Sequence, residues 1–220
     1  MNEIKNIKGA IFDMDGTVLD SMELWENIGI DFLLKNGITP PPDIAEVFCT
    51  LSIKQAADYY IEHFDNTKTV QEIVDEINGM VEDFYFNVVQ LKPGIKEFLE
   101  YLKSKNIKMC VATATDTYLI ERALKRNNIY NYFSRIYTCT NVGHGKDEPI
   151  IYREALNHLG TEKAETFVFE DALYAMKTAK NDGFNVVCIK DISEKADSDK
   201  LKQYSDYYIE NYCDLMQYFE

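Results

Sequence analysis

A chain of 220 residues that is 46% hydrophobic and 27% charged has the composition of a soluble globular protein able to bury a sizeable core. Its net charge of −14 excludes nucleic acid and anionic membrane as partners, because both need a basic surface. No apolar run approaches the roughly 20 residues that span a bilayer, and MNEIKNIKGA lacks a signal-peptide core, so a cytoplasmic monomer or weak homodimer acting on a small molecule is expected.

The first apolar run, GAIFD (9–13), reads as a strand and leads into AIFDMDGTVLDS, which sets Asp13 and Asp15 one residue apart at its end. A buried strand that closes in like charges needs a cation, a proton or a ligand nearby. Asp-x-Asp-Gly also occurs in ordinary turns. A calcium loop of the EF-hand type is excluded, since counting from Asp13 puts Val18 and Leu24 where Gly and Glu are required.

From about residue 20 to residue 90 no strand is predicted. The patterns MELWENIGIDFLLKNG and SIKQAADYYIEHF, broken by TPPPD, predict a helical insertion. It is strongly acidic, with 14 Asp and Glu against 3 Lys and no Arg. KPGIKEFLEYLKSKN then starts a helix with Pro93 near its first turn and Ile95, Phe98, Leu99 and Leu102 on one buried face. The runs IKMCVAT (107–113), RIYTC (135–139), TFVFE (166–170) and NVVCIK (185–190) do not alternate, so they predict strands buried on both faces. Strands alternating with helices predict an α/β fold with a parallel sheet. DISEKADSDK reads as a surface loop or helix start, and YSDYYIENYCDLMQYFE as a final strand and helix.

Five scattered cysteines without a CxxC pair give no zinc or redox motif; Cys110, Cys139 and Cys188 read as small hydrophobes in strands. The three histidines have no metal-ligand spacing, and His144 is expected to support a site without acting in it.

Ligands of an open parallel sheet bind beyond the carboxyl ends of its strands. There the sequence places Asp13 and Asp15, Thr113 in VATAT, Glu170 and Asp171 in FEDA, and Lys146 in GHGKDEP before a helix starting near Pro149. Singly these could be helix caps or solvated side chains. Together they gather acids, a hydroxyl and a cation on one rim, a grouping that suits a hard cation such as Mg²⁺ and, with it, a phosphate.

DMDGTVLDS, VATAT, GKDEP and FEDA resemble, in order, the four motifs of the haloacid dehalogenase superfamily, and the helical insertion between the first two is similar to that of its β-phosphoglucomutase and phosphatase-like branch. The resemblance implies a Rossmann-like three-layer core at 1–19 and 91–220 with a helical cap domain at 20–90. It implies that Asp13 is the nucleophile, Asp15 the general acid and base, and Thr113 and Lys146 the groups that bind the phosphoryl oxygens. Mg²⁺ would be held by Asp13, the Asp15 carbonyl and Asp171, with Glu170 adjoining. The backbones of Met14, Asp15 and Ala114, together with Gly16 and Thr115, would contact the substrate. Trp25 is expected either to line the leaving-group pocket or to pack as a core residue between the inserted helices, and Lys54 either to bind a distal phosphate or to stand as a solvated helix lysine.

Three positions in two motifs depart from the family pattern. Ala172 and Ala175 stand where Ser and Gly are frequent, and Asp147 follows Lys146 where Pro is frequent; Asp147 is expected to reduce the local positive charge. A phosphomutase must grip a second phosphate with Arg or Lys, and the acidic insertion offers only Lys54 at the expected place. A phosphatase acting on a small phosphomonoester, a sugar phosphate first, is therefore expected, with a phosphomutase as the alternative. A silent metabolite-binding protein is opposed by the retained acids, and dehalogenation by the Asp13–Asp15 pair.

Overall fold

All five apolar runs form strands in the computed structural model, which describes residues 6–48, 53–65, 67–194 and 198–218. The chain begins with β1 (Gly9–Phe12) and the short β2 (Leu19–Asp20). It continues through α1 (Met22–Lys35), α2 (Ile44–Phe48), α3 (Ile53–His63) and α4 (Val70–Asp83), the last running into a π-helical turn at Phe84–Val88. β3 (Gln90–Leu91) then pairs antiparallel with β2. After it come α5 (Ile95–Ser104), β4 (Lys108–Thr113), α6 (Thr117–Arg126), β5 (Ile136–Thr138), α7 (Cys139–Val142) and α8 (Ile150–Leu159). The last elements are β6 (Thr166–Glu170), α9 (Leu173–Asn181), β7 (Asn185–Ile189), α10 (Ser198–Gln203), β8 (Tyr207–Ile209) and α11 (Tyr212–Leu215).

Two compact units result, Met1–Ser21 with Val89–Glu220, and Met22–Val88. The β2–β3 pair belongs to the first unit, so the second unit runs over 22–88, inside the expected 20–90 by two residues at each end. Strands of two residues are too short to show periodicity, which is why neither was legible.

The first unit is built on a six-stranded parallel sheet of order β5-β4-β1-β6-β7-β8. β1 sits between β4 and β6, where the strand order turns back, and open α/β sheets place ligands at such a point. Phe12 lies level with Val111 and with Phe169, its ring stacked on Phe169 at 4.4 Å between centroids. Apolar packing therefore fixes the strand ends one residue before the charges begin. In α5 the four predicted face residues are fully buried. Pro93 falls just before the helix, and Gly94 makes the turn at φ 80°, where a Cβ would meet Cys213 Sγ at 2.7 Å.

Cys110 and Cys188 are buried in β4 and β7 as expected. Cys139 instead opens α7, because Thr138 ends β5 and its hydroxyl accepts from the Asn141 amide at 3.1 Å as a helix cap.

The second unit has its own core of Phe32, Leu33, Ile44, Ala57, Tyr60, Ile73 and Ile77. Its α4 starts with a reciprocal cap, Thr69 accepting from the Glu72 amide while Glu72 accepts from the Thr69 amide. The Trp25 indole belongs to this unit and donates to Tyr85 Oη at 3.0 Å. Lys54 falls in α3, and its side chain lies outside the described residues, as does Cys49.

Candidate active site

Register places the charges together. One step past Phe12 and Phe169, Asp13 lies beside Glu170, and the Asp13 amide donates to Phe169 O at 3.0 Å. Asp171 follows at once. Asp13, Glu170 and Asp171 are all buried, each offering a carboxylate oxygen within 4.8 Å of the others. Lys146, only 4% exposed, comes in from the loop before α8 and donates to Asp13 Oδ1 and to Glu170 Oε1, the latter at 2.5 Å. Asp147 is exposed, and the carboxylates bonded to Lys146 are Asp13 and Glu170.

Three buried carboxylates crowd together, and one ammonium pairs with two of them. Burial drives the Asp13 carboxyl up to about 8 against the pull of Lys146, and burial with the neighbouring Asp13 and Glu170 charges holds Asp171 well above the usual carboxylate range. Burial alone would lower Lys146, but Asp13 and Glu170 outweigh it and hold the ammonium well above its ordinary value. A pocket that is short of positive charge and lined only by oxygen donors on its acidic side fits a hard divalent cation.

Asp15 is half-buried and held at both oxygens, by Ser21 Oγ on Oδ1 and by Thr115 Oγ1 on Oδ2, each at 2.6 Å. The Thr115 amide also donates to Thr113 Oγ1 at 3.1 Å, so one residue ties the end of β4 to the loop after β1. Thr113 is fully buried and Ala114 exposed. Gly16 takes φ 78°, a conformation that favours glycine, and its amide donates to Leu19 O at 3.0 Å. The Met14 side chain is fully buried and its carbonyl accepts from Val18 and Leu19. His144 is exposed and pairs with Glu148 at 3.4 Å on the surface.

Four residues of this site were not singled out in the sequence. Thr17 Oγ1 donates to Asp171 Oδ1 at 3.1 Å, and Ser21 holds Asp15; both lie in the quoted first motif. Tyr152 Oη donates to Glu170 Oε1 at 3.0 Å from α8, and Tyr212 Oη to Thr17 O at 3.1 Å from α11. A buried tyrosine needs a partner for its hydroxyl, which is the one signal its sequence offers.

A further correction concerns Asp191 in DISEKADSDK, read as a surface segment. It is 4% exposed and paired with Lys92, which also reaches Asp20 at 3.1 Å, while Ser193 donates twice to Asp191. Burial would raise the Asp191 carboxyl, but the Lys92 and Ser193 hydrogen bonds outweigh it and lower it; burial would lower Lys92, but Asp191 and Asp20 outweigh it and raise it. Asp191→Asn is expected to cost about 2–3 kcal/mol at pH 7. With the folded value lowered, the Asp191 contribution is full above about pH 4 and lost as pH falls through the folded value. With Lys92 raised, its share persists until pH climbs beyond about 10.5. Urea denaturation at pH 7 and pH 3 should show the gap between wild type and variant narrowing in acid; an equal gap at both would mean that charge is not its source.

Comparison with known proteins agrees with this architecture. Among curated relatives, a phosphorylated carbohydrates phosphatase of Thermotoga maritima is 24% identical over 80% of this chain and 82% of its own, and hexitol phosphatase B of Escherichia coli K12 is 24% identical over 82% of each. A crystal structure described as a candidate beta-phosphoglucomutase from Thermotoga maritima superposes with a TM-score of 0.84 at 21% identity, covering 96% of this chain and 99% of that one. The model of the haloacid dehalogenase-like hydrolases matches residues 10–189, from the strand before Asp13 to the end of β7, and the chain belongs to that family.

Proposed function

We propose that this hydrolase is a Mg²⁺-dependent phosphatase that releases phosphate from a small phosphomonoester, a sugar phosphate first, through an aspartyl-phosphate intermediate. The observation that carries it is the buried cluster in which Asp13, Glu170 and Asp171 crowd around Lys146. Mg²⁺ would be held by Asp13, Asp171 and the Asp15 carbonyl, with Glu170 adjoining, and when bound supplies the positive charge that lets an anionic nucleophile approach an anionic ester.

In this reading Asp13 Oδ1 is oriented by Lys146, and the other carboxylate oxygen attacks phosphorus in line as the bond to the ester oxygen breaks. Asp15 protonates the departing oxygen. The same carboxylate then takes a proton from water, which attacks the phosphorus and frees Asp13 and inorganic phosphate. Lys146 and Thr113 bind the equatorial oxygens, where charge spreads in the loose transition state; the Thr113 oxygen already accepts from the Thr115 amide and so has its proton to donate. Segment 20–90 is read as the cap domain, and its acidic excess disfavours a substrate with a second phosphate. The relatives named for phosphorylated carbohydrates and hexitols support a sugar or polyol ester.

Phosphate release from sugar phosphates, phosphoglycolate, nucleotides and pyrophosphate, with Mg²⁺ and with EDTA, tests the proposal. Metal-dependent release from sugar or polyol esters is expected. Conversion of β-glucose 1-phosphate to the 6-phosphate without release would replace the phosphatase with a mutase.

A further inference from the structure

Among the described residues, the α/β unit exposes three large apolar side chains: Tyr118 at 48%, Tyr174 at 54% and Ile192 at 94%. They follow the carboxyl ends of β4, β6 and β7 respectively, the edge that carries Asp13, Thr113 and Glu170. Apolar surface gathered at the rim of a polar site is where a ligand contact is expected.

Tyr174 is the one placed to make it. It is the second residue of α9, three residues after Asp171. Four residues on, and so on the same helix face, Thr178 Oγ1 donates to Asp147 O at 3.3 Å, next to Lys146. The face that bears Tyr174 therefore fronts the Lys146 loop. Helical side chains lean toward their own N-terminus, which here is the Asp171 end. Burial pushes the Tyr174 phenol up to about 12, and Lys146, Glu170, Asp13 and Cys139 all act on it, while the residue as a whole stays half open.

Lys146 and Thr113 are placed to bind the transferring phosphoryl group, which leaves the ring of Tyr174 for the rest of the ester. The flat face of a phenol suits the C–H surface of a sugar ring. Resting on the phosphatase reading, we propose that Tyr174 is a specificity-determining wall for the leaving group, selecting phosphate esters of cyclic sugars over open-chain polyol phosphates of the same size.

The test measures KM and kcat for glucose 6-phosphate against glucitol 6-phosphate, and for ribose 5-phosphate against ribitol 5-phosphate, in wild type, Tyr174→Ala and Tyr174→Phe. Tyr174→Ala is expected to raise KM for the cyclic esters about fivefold and to leave the open-chain esters within about twofold, while Tyr174→Phe changes neither. An unchanged melting temperature, expected at an exposed position, shows that the variants fold. Equal effects on both members of a pair, loss of discrimination in Tyr174→Phe, or wild-type turnover confined to the open-chain esters would overturn the wall. Absence of metal-dependent phosphate release from every ester would instead remove the phosphatase reading beneath it.

Discussion

Asp13→Asn is expected to lower phosphate release by about 10⁴-fold or more while the protein stays folded. Asn keeps the shape of the side chain and one oxygen to accept from Lys146, but an amide is a far poorer nucleophile than a carboxylate and forms no stable acyl phosphate. The fold has little reason to object. Burial already drives the metal-free Asp13 carboxyl up to about 8, so at pH 7 a neutral amide of the same shape replaces a group that is itself largely protonated, and it ends what remains of the repulsion with the neighbouring carboxylates. The melting temperature in metal-free buffer should therefore hold or rise. Single-turnover phosphate release and thermal melts check the two halves separately. Activity within about tenfold of wild type would rule out a covalent route. A large fall in melting temperature would show that Asp13 serves the fold, contrary to the charge argument.

What could be read in the sequence follows from which interactions are local. The strands GAIFD, IKMCVAT, TFVFE and NVVCIK were legible because strands buried on both faces give unbroken apolar runs, and each end lies within one residue of its expected place. Asp13, Lys146, Glu170 and Asp171 were legible as a group because every one of them ends or follows such a strand, and the parallel sheet brings those ends to one edge. Asp191 was not. Its partner Lys92 is 99 residues away, and a charged residue among SEKADSDK reads as solvated until that partner is known. The hydroxyls of Tyr152 and Tyr212 share this limit: helical spacing shows that such a ring is buried, but not that its oxygen holds Glu170 or the Thr17 carbonyl. The two hydroxyls on Asp15, from Ser21 and Thr115, come from segments 100 residues apart at their Asp15–Thr115 link, and only the register of β1 on β4 joins them.

Lys146→Met is expected to lower kcat/KM by about 10³-fold and to destabilise the metal-free protein by about 3–5 kcal/mol. Met fills the volume of the lysine stem, so packing changes little, and what is lost is the ammonium. Without it Asp13, Glu170 and Asp171 face one another in a buried pocket, and Glu170 keeps only its bond from Tyr152 among the side-chain donors seen at its Oε1. The rate falls for a separate reason, since a positive charge aimed at the phosphoryl oxygens is gone while the nucleophile remains. Added Mg²⁺ separates the two effects. A ligand that binds the folded state stabilises it, and a cation entering a pocket with one more uncompensated charge should bind more tightly. Mg²⁺ should thus raise the melting temperature of Lys146→Met by more than that of wild type, and restore stability without restoring the rate. Equal rises in both proteins would mean that the lysine and the metal do not share one charge balance, and the acidic cluster would then have to hold its cation elsewhere than beside Lys146. Lys146→Arg sharpens the comparison, because it returns the charge on a wider, planar head in a site only 4% exposed. Partial recovery of stability with little recovery of kcat/KM would place the requirement on the position of the ammonium as well as on its sign.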